Sequence, residues 1–235
     1  MSKGKLYLIP TPLGETGFEN ALPAYNHQVL EKISVYIVEE LRTARRFLRR
    51  AGISKPIDAL TFHELNEHTV PEEAAAYLDE ALKGSDIGLL SEAGLPCVAD
   101  PGNIVVKQAH SKGIQVIPLV GPSSLMLALM ASGLNGQRFI FHGYLPVNPA
   151  QRATSLKALE KDISLNNRTQ IFIETPYRNL AMFESIVRVC QPDTLLCIAA
   201  DLTLDSQFIS TLTVRQWKSK LPELHKRPAV FLLGI

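Results

Sequence analysis

The sequence predicts an α/β fold with a mostly parallel sheet, and three observations support this class. Short apolar runs that suit buried strands alternate along the chain with stretches of about 10–15 residues that suit helices. Several of the apolar runs end in loops rich in glycine and proline, where open parallel sheets bind their ligands. The chain has 235 residues, 46% of them hydrophobic, which is enough to bury one large core or two smaller ones.

The first half of the chain contains four strand-like runs. Lys5–Thr11 is apolar until proline interrupts it, and Val35–Val38 has the β-branched and aromatic residues that strands prefer. A third run begins at Ile87 and leads into the loop Ser91–Gly102, which carries two glycines and two prolines. Gln115–Leu119 is the fourth predicted strand. Glycine admits positive φ and proline fixes φ, so the loop Ser91–Gly102 is constrained and is the first candidate for a ligand site.

Helices are predicted between these strands from periodicity and capping residues. Phe18–Lys32 is expected to be helical except where Pro23 limits it, and Glu39–Ala51 is followed by a glycine that can stop a helix. Pro71–Gly84 has proline in its first turn, acids early and glycine at its end, a pattern typical of one helix. The other predicted helices here are Asn103–Lys112 and Ser123–Ser132, the latter with Ser123 as N-cap.

The second half repeats the alternation less regularly. Its predicted strands are Phe139–His142, Gln170–Glu174, Thr194–Ala200, Phe208–Leu212 and Ala229–Ile235. Its predicted helices are Pro149–Lys161, Tyr177–Cys190 and the short segment Val214–Leu221. A boundary is expected near Leu119–Pro122, which gives an N-terminal α/β domain of residues 1–119 and a C-terminal α/β domain of residues 120–235.

Composition narrows the functional classes. A formal net charge of +1 argues against a globally basic nucleic-acid binder but leaves local patches open. The three cysteines have no metal-ligand spacing and are expected to be reduced thiols. The longest apolar stretch, Val116–Met130, is interrupted by prolines and glycine, and the polar start of the chain lacks a secretory pattern. A cytoplasmic protein that does not enter the membrane is expected.

The sequence lacks the usual phosphate and nucleophile motifs of α/β proteins. It has no G-x-x-x-x-G-K-[ST], no G-x-G-x-x-G after the first strand and no G-x-S-x-G. Three loops rich in glycine, proline and serine remain at predicted strand ends, namely Pro10–Gly14, Ser91–Gly102 and Gly121–Ser124. They suit a ligand that is contacted mainly by backbone and small side chains.

Five motifs carry a family resemblance when taken together. In order, they are LYLIPTPLG, LLSEAGLPCVADPG, VIPLVGPSSLMLALMASG, FIFHGYLP and IFIETPYR. They resemble the tetrapyrrole methylase superfamily of S-adenosylmethionine (SAM)-dependent methyltransferases. Within it, the chain is most similar to the branch that methylates the cytidine ribose 2′-hydroxyl of small-subunit ribosomal RNA. The similarity runs from Leu6 to Ala229.

This resemblance implies two α/β domains, with a mostly parallel N-terminal sheet, a mixed C-terminal sheet and SAM in the cleft between them, usually in a homodimer. It also assigns residues to the cofactor. Those from the N-terminal loops and the following helix are Pro12, Ala93, Gly94, Leu95, Ser123, Ser124, Met126 and Leu127. Those from the C-terminal domain are Ile173, Glu174, Ala200, Pro228 and Ala229.

The chemistry of such a site requires little more than alignment, because SAM is already an activated electrophile. A ribose hydroxyl is a poor nucleophile and benefits from a general base. The candidate carboxylates are Glu39, Glu40, Glu92 and Glu174, and the sequence does not single out one of them.

An arginine-rich stretch is the first candidate for RNA contact. Arg42, Arg45, Arg46, Arg49 and Arg50 have the spacing of one helix face, and guanidinium groups match phosphate geometry. The opposite face can pack on the sheet. The alternative is a solvated face whose arginines pair with acids such as Glu31, Glu39 or Glu40.

Two further segments are candidates for the substrate side. His63 lies in FHELNEH, which resembles the segment that follows the third strand in the rRNA branch, and Tyr177 and Arg178 lie in ETPYR. A metal site on this histidine segment is not expected, because His63 and His68 are five positions apart and do not share a helix face. The alternative for Tyr177 and Arg178 is an ordinary helix N-terminus.

Several departures from the rRNA branch leave the methyl acceptor open. The E-D-T-R of that branch is Glu39–Arg42 with leucine in place of threonine, and its R-E-L-T-K is Ala200–Leu204. The leading expectation is SAM-dependent methylation of ribosomal RNA or the small ribosomal subunit. The alternatives are methylation of a tetrapyrrole or other small molecule, and a non-catalytic protein that binds SAM or RNA.

Overall fold

The computed structural model describes residues 2–65 and 69–235, and it divides into two compact units. Unit 1 comprises Met1–Ser123 and unit 2 comprises Ser124–Ile235. Each unit is an α/β layer structure with its own sheet, as the alternation of strands and helices predicts. The predicted division into domains of residues 1–119 and 120–235 stays a prediction.

The sheet of unit 1 has five parallel strands in the order β3-β2-β4-β1-β5. They are β1 (Lys5–Ile9), β2 (Val35–Val38), β3 (Thr61–Glu64), β4 (Ile87–Leu90) and β5 (Gln115–Pro118). β2 and β4 are completely buried, as expected for central strands covered on both faces. Because all five run the same way, the loops after them emerge at one edge of the sheet.

Helices cover both faces of this sheet. They are α1 (Phe18–Ala21), α2 (Ala24–Leu30), α3 (Leu41–Ala51), α4 (Pro71–Ala76), α5 (Asp79–Leu82) and α6 (Asn103–Ser111), with a short 3₁₀ turn at Ile57–Ala59. One hydrophobic cluster joins α4, α5 and α6 to the sheet, and a second joins α2 and α3. The apolar positions of α3, Ala44, Leu48 and Ala51, belong to the second cluster, so its opposite face carries the arginines.

The sheet of unit 2 has five strands in the order β6-β7-β10-β8-β9 and is mixed. They are β6 (Phe139–Tyr144), β7 (Thr169–Glu174), β8 (Leu195–Ala200), β9 (Phe208–Thr213) and β10 (Ala229–Gly234). β6 pairs with β7 in parallel, while β10 is antiparallel to both β7 and β8. The helices are α7 (Ser124–Ser132), α8 (Pro149–Asn166), α9 (Asn179–Val189) and α10 (Val214–Trp217). One cluster that includes Phe172, Phe231 and Trp217 forms the core.

Three elements differ from their prediction. The predicted helix 18–32 is divided at Pro23, which caps α2 with extended backbone. The predicted helix 71–84 is divided into α4 and α5 at Tyr77, whose hydroxyl donates to the Glu64 carbonyl 2.8 Å away. Thr61–Glu64 forms β3, which was not predicted because this edge strand is polar and only partly buried.

No helix within residues 2–65 and 69–235 is long and apolar enough to cross a membrane.

Candidate functional site

Two of the three predicted loops are joined at the carboxyl ends of β1 and β4. Thr11 and Gly94 exchange both backbone hydrogen bonds, at 3.0 and 3.1 Å, in an isolated antiparallel bridge. The buried Ser91 hydroxyl donates to the Gly94 carbonyl at 2.6 Å and contacts the Thr11 hydroxyl at 3.3 Å. The loop after β1, with Pro12, is therefore fixed against the loop after β4.

The loop Ser91–Gly102 has the constrained backbone that its glycines and prolines predict. Gly94 has φ +79°, and an added Cβ would lie 3.0 Å from the Leu13 side chain and 3.2 Å from the Pro122 carbonyl. Cys97 and Ala99 also have positive φ, which is uncommon for residues with a side chain. The Gly94 amide and carbonyl are bonded within the protein, whereas Ala93 is exposed and Leu95 is half-buried.

The third loop closes the same edge of unit 1. The buried Asn26 side chain donates to the Val120 carbonyl at 2.9 Å and so fixes the segment after β5. A Cβ on Gly121 would lie 2.3 Å from the Pro10 ring, so only glycine allows this approach. Ser123 ends unit 1, and Ser124, Met126 and Leu127 lie in the first turns of α7 in unit 2.

A pocket of about 180 Å³ lies in unit 1 between the loop after β1, α3 and the loop after β4. Its wall includes the loop from Thr11 to Thr16, the α3 residues Thr43, Arg46 and Arg50, and Ser91 to Ala93. Predicted cofactor residues Pro12 and Ala93 and the predicted substrate residue Arg46 therefore line one cavity. It combines apolar walls with two arginines, Arg46 and Arg50, and two acids, Glu15 and Glu92.

The N-terminus of α3 is tied to the loop after β4. Both oxygens of Glu40 accept backbone hydrogen bonds, from Arg42 at 2.9 Å and Thr43 at 2.6 Å, so Glu40 caps the helix. These bonds hold the pKa of Glu40 below its usual value. The Thr43 hydroxyl donates to the Glu92 carboxylate at 2.8 Å. Glu40 is thus engaged as a cap, and Glu92 is oriented by Thr43.

Glu39 is the candidate base with an unusual environment. It follows β2 directly, and although its side chain is exposed, partial desolvation raises its pKa first, and the nearby carboxylates of Asp100 and Glu92 raise it further. The pKa of Asp100 is itself raised by burial. Neighbouring negative charges favour the protonated form of a carboxyl group, which makes it a stronger proton acceptor. Glu39 therefore differs chemically from Glu40, which is stabilised as an anion.

The five arginines of α3 are not equivalent. Arg45 is half-buried with its guanidinium 5.5 Å from the Phe62 ring centre, and its Nε has no hydrogen-bond partner among the described residues. Arg46 and Arg50 both approach the Glu15 carboxylate, at 3.8 and 3.9 Å. Arg42 and Arg49 are exposed and make no ion pair within the described parts of the chain. Within the described residues, the ion pairs of this face are with Glu15 and not with Glu31, Glu39 or Glu40.

In unit 2, the register of the sheet brings the predicted cofactor residues together. Ala229 on β10 pairs with Glu174 at the end of β7 and with Ala200 at the end of β8. Val230 pairs with Ile173, and Pro228 directly precedes the strand. The three segments that carry these residues are 26 or more positions apart in the sequence, yet they form one edge of the sheet, as a common site requires.

Glu174 is a buried carboxylate that is only partly satisfied. Its Oε1 accepts hydrogen bonds from the Thr175 amide at 2.7 Å and from the Arg178 guanidinium at 2.7 and 3.0 Å. Its Oε2 is buried and has no partner among the described residues. An unsatisfied buried acceptor is costly, so this oxygen suits a ligand that donates a hydrogen bond. Predicted substrate residue Arg178 therefore orients Glu174, whereas Tyr177 is exposed.

A network next to this edge was missed by sequence reasoning. Arg227 donates from Nε to Asp201 Oδ2 at 2.7 Å and from Nη1 to the Glu223 carbonyl at 2.9 Å. Ser206 also donates to Asp201 at 2.9 Å, and the Asp201 amide donates to the Pro228 carbonyl at 3.0 Å. The only sequence signal was that Asp201 and Arg227 adjoin the predicted site residues Ala200 and Pro228. The network fixes the segments that carry Ala200 and Ala229.

The histidine segment has a structural environment of its own. His63 lies within β3 rather than after it, and its ring stacks on Tyr77 with ring centres 4.8 Å apart. Asn66, Glu67 and His68 lie outside the described residues. Within residues 2–65 and 69–235, no group of three histidine, cysteine or acidic side chains is arranged to hold a metal ion.

Comparison with known proteins identifies relatives along nearly the whole chain. The chain is 32% identical over 216 residues to ribosomal RNA small subunit methyltransferase I of Pseudomonas aeruginosa, which covers 92% of this chain and 72% of the relative. It is 30% identical over 236 residues to the protein of that name in Haemophilus influenzae, covering 98% and 78%. No family model matches.

Solved structures agree on the fold. The methyltransferase CobJ superposes with a TM-score of 0.66 over 98% of this chain and 94% of its own, at 19% identity. At this identity the likeness establishes the architecture of two α/β sheets, one parallel and one mixed, that the resemblance implied. The family is established by the sequence relatives: this chain belongs to the ribosomal RNA small subunit methyltransferase I family.

Proposed function

We propose that this protein methylates a ribose 2′-hydroxyl of small-subunit ribosomal RNA with SAM as the methyl donor. The observation that carries the proposal is the similarity to ribosomal RNA small subunit methyltransferase I, at 32% identity over 92% of the chain. The chain is a SAM-dependent methyltransferase. The finer parts of the proposal are the 2′-hydroxyl as acceptor, a homodimer as the active form, and the cytoplasm as the place of action.

The residues present fit SAM. Its adenosine and amino group carry hydrogen-bond donors, and the buried Glu174 Oε2 is an acceptor without a partner among the described residues. Ala200 and Ala229 beside it in the sheet are buried and have small side chains, so they place little bulk next to Glu174. In unit 1, Ala93 and Leu95 flank a glycine with positive φ, so their backbone can approach the methionine part. SAM supplies the activated methyl group, and the protein supplies alignment and a dry environment.

Glu39 is proposed as the base that accepts the proton of the ribose hydroxyl. A base works best when its pKa approaches the working pH, and partial desolvation together with Asp100 and Glu92 raises the pKa of Glu39. Glu40 is bound to the α3 amides and Glu174 to Arg178, so neither carboxylate is free in the same way. The Thr43 hydroxyl holds Glu92, in the loop after β4, against the N-terminus of α3, which maintains the charge that acts on Glu39.

RNA contact is proposed for the arginine face of α3. Four of its arginines, Arg42, Arg46, Arg49 and Arg50, are exposed, and guanidinium forks match phosphate oxygens. We propose no such role for Arg45, because it is half-buried and its guanidinium lies over the Phe62 ring. The alternative, methylation of a tetrapyrrole or other small molecule, does not require an exposed face of arginines.

The test is methyl transfer from labelled SAM to small ribosomal subunits from a strain that lacks this protein. A 2′-O-methyl group blocks alkaline cleavage of the adjacent phosphodiester, so the label should appear in an alkali-resistant dinucleotide. Label in a base, or label in an added tetrapyrrole but not in RNA, would contradict the proposal. A variant with Arg42 and Arg49 changed to glutamate should lose transfer to subunits and retain SAM binding by calorimetry.

A further inference from the structure

We infer that Arg46 and Arg50 form a binding site for one RNA phosphate in the pocket of unit 1, and that Glu15 occupies this site until the phosphate displaces it. The inference rests on the proposed function for the identity of the ligand. It adds a defined anion site within the arginine face and a residue of the protein itself that competes for it.

The two arginines converge on one anionic oxygen. They are four positions apart on α3, and both line the pocket. The Nη1 atoms of Arg46 and Arg50 lie 3.8 and 3.9 Å from the same atom, Glu15 Oε1. An oxygen held between two guanidinium groups marks a place where an anion is favoured. A phosphodiester fits this place because its two non-bridging oxygens can each accept from one planar fork.

Glu15 is a weak occupant of that place. Both separations exceed the length of a good hydrogen bond. The Glu15 side chain is 82% exposed, and those of Arg46 and Arg50 are 54% and 48% exposed. Exposed ion pairs contribute little to stability because water and salt screen them. A phosphate that accepts direct hydrogen bonds from both arginines therefore displaces Glu15 at small cost.

The loop that carries Glu15 can release it without coming apart. The base of the loop is held by Phe18, whose ring stacks on Phe47 of α3 with ring centres 6.2 Å apart. The start of the loop is held by the Thr11–Gly94 bridge. Between these anchors, the contacts to the arginines are the Glu15 carboxylate and one 3.3 Å hydrogen bond from Arg50 to the Thr16 carbonyl. Glu15 can thus turn away while both ends of the loop stay in place.

The inference is tested by equilibrium binding of a fluorescein-labelled single-stranded RNA to the full chain, followed by anisotropy at several salt concentrations. Glu15→Gln removes the competing charge, and we expect it to tighten binding about two- to fivefold. Glu19→Gln is the matched control, because Glu19 is exposed, lies four positions away and makes no ion pair within the described residues. It should have a much smaller effect.

Two further measurements localise the effect. In an Arg46→Gln/Arg50→Gln background, Glu15→Gln should no longer tighten binding, because its partners are gone. The Arg46→Gln/Arg50→Gln double variant should reduce the slope of log K against log salt by about 0.7, the value for one lost phosphate contact to a single strand.

The outcomes separate this inference from the proposed function. If wild type methylates subunits but Glu15→Gln and Glu19→Gln shift RNA affinity equally, the phosphate site is overturned and the proposed function stands. If Glu15→Gln selectively tightens RNA binding while wild type transfers no methyl group to RNA, the site stands and the proposed function fails. If wild type and the Glu15→Gln variant neither bind nor methylate RNA, both fail.

Discussion

Replacing Asp201 with asparagine should weaken SAM binding while leaving the fold intact. Asp201 directly follows Ala200 and has φ +50°. Asparagine tolerates this left-handed conformation better than most residues, so the backbone keeps its shape. What disappears is the negative charge that Arg227 contacts at 2.7 Å. The substitution therefore removes the ion pair and leaves the backbone turn at position 201 unchanged.

The expected size follows from burial and from the bonds that remain. The two side chains are 10% and 20% exposed, so their pair is poorly screened. Arg227 keeps its hydrogen bonds to the Glu223 and Ser206 carbonyls, which limits the loss. We expect the free energy of unfolding to fall by about 1.5–3 kcal/mol, the range for one hydrogen bond to a charged group. Pro228 and Ala229 follow Arg227, so their displacement should weaken SAM binding by about three- to tenfold.

Urea unfolding and calorimetric titration with SAM measure these two effects. Asp205→Asn is the control, because it removes the same charge from an exposed position in the same loop. It should change neither quantity appreciably. The view that this network positions the segments carrying Ala200 and Ala229 for SAM would be refuted by either of two results. One is an equal loss of stability and SAM affinity in both variants, and the other is unchanged SAM affinity in Asp201→Asn.

Three other outcomes are expected. Glu39→Gln should lower the rate of methyl transfer about 10²–10⁴-fold and leave SAM affinity unchanged. A single-turnover rate equal to that of wild type would rule out Glu39 as the base. Asp100 has a pKa raised by burial from its ordinary 3.8, so its protonated form adds stability that is lost as pH rises through the folded pKa. The free energy of unfolding of Asp100→Asn minus that of wild type should therefore increase in urea unfolding as pH rises from about 4 to 7, and a decrease in this difference would contradict the reasoning. Gly121→Ala should cost about 1–3 kcal/mol because its Cβ would meet Pro10 at 2.3 Å, whereas Gly136→Ala, with nothing within 4 Å, should cost far less.

Local sequence signals predicted most of the elements because those elements depend on local chemistry. The apolar face and the stop glycine of α3 are readable in the sequence, and the structure has α3 at Leu41–Ala51 with Gly52 at φ +71°. β3 was missed because an edge strand with threonine, histidine and glutamate lacks the apolar run of a buried strand. The helix divides at Tyr77, whose hydroxyl bonds to the Glu64 carbonyl 13 positions away, a contact that no local pattern encodes.

For the site too, the sequence predicted which segments take part but not the contacts between residues that are far apart in the chain. The family resemblance named residues on several segments, and the pairing of Glu174, Ala229 and Ala200 in adjacent strands explains why those segments belong together. The contacts that set their chemistry join residues far apart, such as Thr43 with Glu92 and Arg227 with Asp201. Sequence spacing could place five arginines on one face, but it could not assign Glu15 as the acid that meets two of them.

The spacing of the arginines along α3 predicts that they contact more than one phosphate. Glu40 caps the N-terminus and the last turn carries Arg49 and Arg50, which is the order that the helix dipole favours. Eight positions separate Arg42 from Arg50, a rise of about 12 Å along the helix. One phosphate cannot reach both ends of that distance. Arg42 and Arg50 therefore act on different phosphates, so their effects on RNA affinity should add, whereas Arg46 and Arg50 share one anion site and should be coupled.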